Sequence, residues 1–150
     1  MIEFALILPL FAMLVVGLFS SAMLYDSRMQ LTHAAREGAR YGATVPDGQT
    51  FPSGASWAES VEALVRQRGG ASLNGADVCV ALVAGDDATP VSGDHTTDPL
   101  GARCFDDSAG GEEGRRVQVA ITKTMTLDVV AFQRPVTMTS TATSRHESHG

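Results

Sequence analysis

Four features of this 150-residue sequence have residue types and spacings that could do chemistry. Glu3 is a lone carboxylate at the edge of Phe4–Tyr25, 22 residues without a charge. Such an acid is costly to bury unless a positive group meets it, and an α-amino group of its own or a neighbouring chain would serve. The two cysteines, Cys79 and Cys104, stand 25 residues apart. In an exported domain with a thin core such a pair forms a disulfide, which would place the domain outside the cytoplasm. Residues 85–114 hold Asp86, Asp87, Asp94, Asp98, Asp106, Asp107, Glu112 and Glu113 against one base, Arg103. Clustered carboxylates suit a hard cation such as calcium, but the D-x-[DN]-x-[DN]-G spacing is absent, so the segment reads as a solvated acidic loop. His146 and His149 could attract a metal, yet their place near the C-terminus reads as a frayed tail.

Catalytic patterns are missing. There is no G-x-S-x-G elbow, H-E-x-x-H, P-loop or G-x-G-x-x-G, and no nucleophile stands beside a base. We expect no enzyme, no cofactor and no metal site. A net charge of −6 with Lys123 as the one lysine argues against nucleic acid as a partner, because phosphate neutralisation needs clustered bases.

The elements that must position these groups fall into two parts. Twenty of the first 25 residues are hydrophobic, and the rest of the chain is lean in them and rich in glycine. As a helix, Phe4–Tyr25 would be about 33 Å long, close to the hydrocarbon thickness of a bilayer. Its apolar residues fall on every side, so it needs lipid or other apolar helices around it. A cleaved secretory signal fits poorly, since Glu3 is the one charge before the run and no base appears until Arg28. Pro9 predicts a kink or a melted turn, and Gly17 a close approach of another backbone.

Residues 26–43 contain no proline. Met29, Leu31, Ala34, Ala35, Ala39 and Tyr41 form an apolar stripe, relieved by Asp26, Arg28, Arg36, Glu37 and Arg40, with His33 at the surface. One helix over about 3–43 is predicted, with 1–25 as its membrane or filament-core part and 26–43 as its amphipathic continuation. Residues 44–150 read as an extracellular, β-rich domain. After a loop over 44–56, Ser56 and Glu59 have capping-box spacing before a helix near 57–68, with Trp57 as a core or interface anchor. Strands are predicted at 77–84, 116–130 and 135–144, with a turn around 129–132 and the acidic loop 85–114 between the first two. The fold class is therefore α+β, a small antiparallel three-stranded sheet packed on the C-terminal half of a long helix.

Glu3-Phe4-Ala5-Leu6-Ile7-Leu8-Pro9-Leu10, with Thr32-His33-Ala34-Ala35-Arg36-Glu37-Gly38-Ala39-Arg40-Tyr41 downstream, resembles the TadE family of pilin-like proteins. These are type IV pilin-related subunits of tight-adherence (Tad, Flp-type) pili. Pilin-type subunits usually carry the glutamate at mature position five, whereas here it is third. The resemblance implies cleavage by a prepilin peptidase at the inner membrane, followed by packing of the helices in a filament core with the help of the assembly machinery. Copies of the chain or related pilins would be its partners, and the product would be an extracellular filament for attachment. Glu3, Pro9 and Gly17 are then the candidates for register. Phe4, Leu8, Phe11, Val15, Leu18, Phe19 and Met23 are the candidates for helix packing. The competing expectation is a bitopic membrane protein whose outer domain binds a ligand or partner and never polymerises.

Overall fold

The computed structural model describes residues 2–46, 51, 54–84, 89–95, 115–129 and 132–146, and the side chains at 2, 3, 5, 84, 89–95, 127–129 and 132 are outside that description. Helix α1 runs over Ile2–Thr44, within a residue of expectation at either end, and continues through Pro9 without a melted turn. Proline there removes one intrahelical hydrogen bond, and the remaining bonds on both sides keep the helix in register. Helix α2 covers Trp57–Gly69 and is followed by a 3-10 turn at Gly70–Leu73. Strands β1 (Ala76–Ala84), β2 (Thr89–His95), β3 (Arg115–Val129) and β4 (Phe132–Arg145) complete the chain.

The sheet order is β2-β1-β3-β4, every neighbouring pair antiparallel. The three expected strands are β1, β3 and β4. The fourth, β2, lies inside the segment read from sequence as loop. Pro90 and Gly93 in Thr89-Pro90-Val91-Ser92-Gly93-Asp94-His95 spoil any alternation, and an edge strand tolerates both because only one side of it is paired. The remainder of the acidic segment and residues 130–131 of the expected turn lie outside the described residues.

Alternation assigns the two sheet faces. Val78, Val80 and Leu82 of β1 and Val117, Val119 and Ile121 of β3 point to the core, where they meet Trp57, Val61 and Val65 of α2. On α1 the matching face is made of Leu31, Ala34, Ala35, Ala39 and Ala43, all buried. Met29, expected in that stripe, is instead exposed, and Tyr41 is only half-buried.

Two glycines let α1 approach so closely. A Cβ at Gly38 would sit 2.2 Å from Val65 Cγ2, and one at Gly42 would sit 2.9 Å from Val117 Cγ1 and 3.1 Å from Trp57 Cζ2. The two below 3.0 Å are closer than carbons approach without something shifting, and the third is tight. The helix gives up some intrinsic stability at both glycines, about 1 kcal/mol each relative to alanine, in return for the contact.

The ends of the elements are tied by polar groups. Ser56 and Glu59 form the expected capping box: Ser56 N–H donates to Glu59 Oε2 at 2.7 Å, and Glu59 N–H donates to Ser56 Oγ at 3.3 Å. The bond from the Ser56 backbone, helped by its hydroxyl, holds the Glu59 carboxyl below its ordinary range. His146 is buried rather than frayed, at 5% exposure. Its backbone N–H donates to Arg115 O at 2.8 Å, and its Nε2 lies 3.0 Å from Val45 O, just past the end of α1. Further along, Ser140 Oγ donates to Thr32 Oγ1 at 3.2 Å, and Thr32 Oγ1 donates to Arg28 O at 2.9 Å. Lys123 Nζ donates to Ser72 O, and Ser72 Oγ donates to Gln30 Oε1, so the 3-10 turn bridges β3 and α1.

Two predictions follow from this packing. Gly38→Ala lowers stability to denaturant, by about 1–3 kcal/mol of overpacking offset in part by helix propensity. Val65→Ala in the same chain recovers part of that loss, and a double-mutant cycle on Trp57 fluorescence shows coupling of about 1 kcal/mol. Glu59 binds its proton less readily folded than unfolded, so it stabilises the fold above the usual carboxylate range near pH 4.3 and loses that contribution as pH falls through its lowered value. Acid titration of Glu59→Gln therefore shows a shallower loss of stability in that window than the parent chain.

Candidate assembly surface

The N-terminal half of α1 stands clear of the domain. Phe4, Leu8, Phe11, Val15, Leu18, Phe19 and Met23, the seven packing candidates, are between 46% and 72% exposed. Leu6, Ile7, Leu10, Met13, Leu14, Val16 and Tyr25 are exposed as well. At 100° per residue Phe4, Leu8, Phe11, Val15 and Leu18 make one stripe, and the others fill the rest of the circumference, so no side of the rod is suited to water. Burying one such side chain fully is worth about 1.5–3 kcal/mol, and the sum over fourteen of them exceeds the whole stability of an ordinary domain. None of the described residues covers these side chains.

One of its two serines is closed off internally. Ser21 Oγ donates to Gly17 O at 2.9 Å, which lets a hydroxyl sit among apolar neighbours without an orphaned donor. Gly17 has no atom within 4 Å of where a Cβ would stand, so nothing among the described residues explains a glycine there. Pro9 is within the helix, and Glu3 belongs to its first turn, where the helix macrodipole favours a carboxylate. By length and composition α1 is able to cross a membrane.

Below Tyr25 the character changes within two turns. Asp26 Oδ2 accepts from Gln30 Nε2 at 2.7 Å, and from Leu31 onward one face is buried while His33, Arg36, Glu37 and Arg40 remain at the surface. The rod is therefore one continuous helix with a seated half and a bare half.

The cysteine candidates are less completely placed. Cys79 lies in β1 on the sheet face opposite the core, beside Ala81 and Val83, and is buried. It is not a free thiol. Cys104 lies outside the described residues. Among the described residues no group of three or more His, Cys, Asp or Glu could hold a metal ion. His146, read from sequence as part of a tail, serves instead to clamp the end of β4 to the end of α1. No sequence pattern marks that role, since its two partners are carbonyls of Val45 and Arg115.

Comparison with known proteins adds one match. Residues 1–40 match the family model of TadE-like proteins. No curated protein matches the chain, and no solved structure matches it. The TadE-like pilus family is structural and is associated with pilus subunits and their machinery, and an apolar N-terminal helix fits a membrane-anchored component of that system. The matched stretch contains the whole bare half of α1 and, in Ala34, Ala35, Gly38 and Ala39, most of the small residues that seat the other half; it makes this chain similar to the TadE-like, pilus-related proteins.

Proposed function

We propose that this chain is a structural subunit, a pilin or minor pilin, of a Tad or type IV-like pilus. The observation that carries the reading is the bare half of α1: a rod apolar on every side, continuous in one helix with a folded domain whose described residues leave its large apolar side chains exposed. Before assembly the rod would be held in the cytoplasmic membrane, after processing by a prepilin peptidase. Assembly would exchange lipid for the helices of neighbouring copies or related pilins, leaving the β-rich domain outside as the coat that meets a surface. Gly17, unexplained among the described residues, would admit a neighbour's backbone. Glu3 would pair with an N-terminal amine in the filament core, and because a buried charge is satisfied in one stagger only, that pairing would set the register.

The Cys79–Cys104 disulfide belongs to the same proposal. Cys104 is the one other cysteine in the chain, and Cys79 is not free. The bridge would close a loop of about 25 residues and contribute about 3.5 kcal/mol on the chain-entropy model, which a small, lean domain needs. It would also anchor the acidic segment on the outer face of the sheet.

Glu3→Gln is expected to insert into membranes as the parent does and to lower filament number more than about tenfold, since an unpaired buried charge partner costs well over 1.4 kcal/mol. Electron microscopy of sheared fibres, with the chain identified in them by mass, reads the outcome. Normal filaments containing the substituted chain would refute the pairing; absence of the parent chain from any fibre would refute the subunit reading. Intact mass of the exported domain before and after reduction tests the bridge, which requires a gain of two hydrogens on reduction and none in Cys79→Ser.

A further inference from the structure

Where the bare half of α1 gives way to the seated half, the helix and strand β4 stand apart and leave a groove of about 450 Å³. Ser21, Leu24, Tyr25 and Arg28 line one wall, at spacings of three, one and three that place them on one helix face, and Val136–Thr139 line the other. Two of its hydroxyls are already committed. The Ser21 hydroxyl is turned to Gly17 O, and Thr137 Oγ1 pairs across the hairpin with Thr124 Oγ1 at 3.2 Å. Asp26, the nearest acid along the helix, is engaged by Gln30.

Arg28 is different. It is the first basic residue of the chain, it is exposed, and its guanidinium has no ion pair or hydrogen bond among the described residues. The Tyr25 phenol beside it is 67% exposed. Among the described residues no carboxylate lines the groove, whose remaining surface comes from Leu24, Val136, Met138 and Thr139. A planar, permanently charged fork next to a phenol and an apolar floor suits a phosphate carrying an aliphatic tail. The height agrees. If Phe4–Tyr25 fills the hydrocarbon, Arg28 stands about 4.5 Å beyond it, at the level of the headgroups, with Tyr25 at the interface where aromatic residues with a polar tip collect.

We propose that this groove binds the phosphate of an anionic phospholipid while the subunit is held in the bilayer, with Arg28 as its cation and the acyl chains lying along the bare half of α1. The proposal rests on the membrane stage of the function given above and adds a specific ligand to it. That lipid would orient the domain against the membrane and would have to be shed when a neighbouring subunit takes its place.

The test uses the full chain in vesicles of phosphatidylcholine, alone or mixed with phosphatidylglycerol, followed by mild detergent release and native mass spectrometry of retained lipid. The parent chain should retain phosphatidylglycerol over phosphatidylcholine by about fivefold, the preference expected of one base at an anionic surface. Arg28→Gln should abolish that preference. Arg36→Gln and Arg40→Gln, which remove exposed bases outside the groove, should keep it. Equal loss in all three variants would mean general charge attraction and would overturn the site. Displacement of the lipid by millimolar inorganic phosphate would assign the groove to a free anion and would also overturn it. Unchanged lipid retention by Arg28→Gln with fewer filaments would assign Arg28 to a carboxylate of a neighbouring copy instead. Failure of the parent chain to enter vesicles at all would overturn the membrane stage itself, a result distinct from entry without lipid preference.

Discussion

The distance between α1 and the layer beneath it is set by two missing side chains. With Gly38 and Gly42 bare, the helix comes down onto Val65, Val117 and Trp57. Every other contact of its lower half depends on that spacing. Leu31, Ala34, Ala35, Ala39 and Ala43 reach the core only because the backbone is already close, and Ser140 and His146 of the last strand region find Thr32 and Val45 for the same reason. Small residues do not add much burial of their own. Their effect is to let the valines of α2 and β3 lie against backbone, and a core with so few large residues has little else to draw on.

The same helix meets two opposite demands along its length. Its lower half must fit one fixed partner closely, and small residues do this best. Most of its upper half meets no partner among the described residues, and there large flexible and aromatic side chains face outward on all sides. Water is a poor solvent for that half, so the folded domain by itself is an incomplete object. The resemblance to TadE-like proteins covers both demands at once, because residues 1–40 include the bare rod and the start of the seat.

Much of this was legible in the residues. An uncharged run of 22 followed by a small-residue stripe specified α1, and Ser56 with Glu59 marked the start of α2 at the turn where the capping box forms. The alternating valines of β1 and β3 and the threonine-rich β4 were visible as strands because period-two patterning survives where one face is buried. What escaped was of a different kind. β2 carries Pro90 and Gly93, so its pairing with β1 has no local signature. His146 acts through backbone carbonyls that any residues would supply. The role of Gly38 and Gly42 rests on the side chains that fill their places, a long-range fact that no window along the chain contains. The exposure of the apolar residues on the upper half of α1 was foreseeable because a run apolar on every side is something composition records.

Strand β4 lies along α1 rather than across it. Past the groove at Ser21–Arg28, the Ser140–Thr32 bond and the His146–Val45 contact are successive points on one long seam. A pull along the axis of the rod would therefore load that seam in shear, with its bonds strained together, and would not peel them one at a time from an end. Structures joined in this way resist tension well and give way abruptly. A domain hung on a long helix by such a seam would be suited to a fibre under drag, where the coat must stay on the core while the core is stretched.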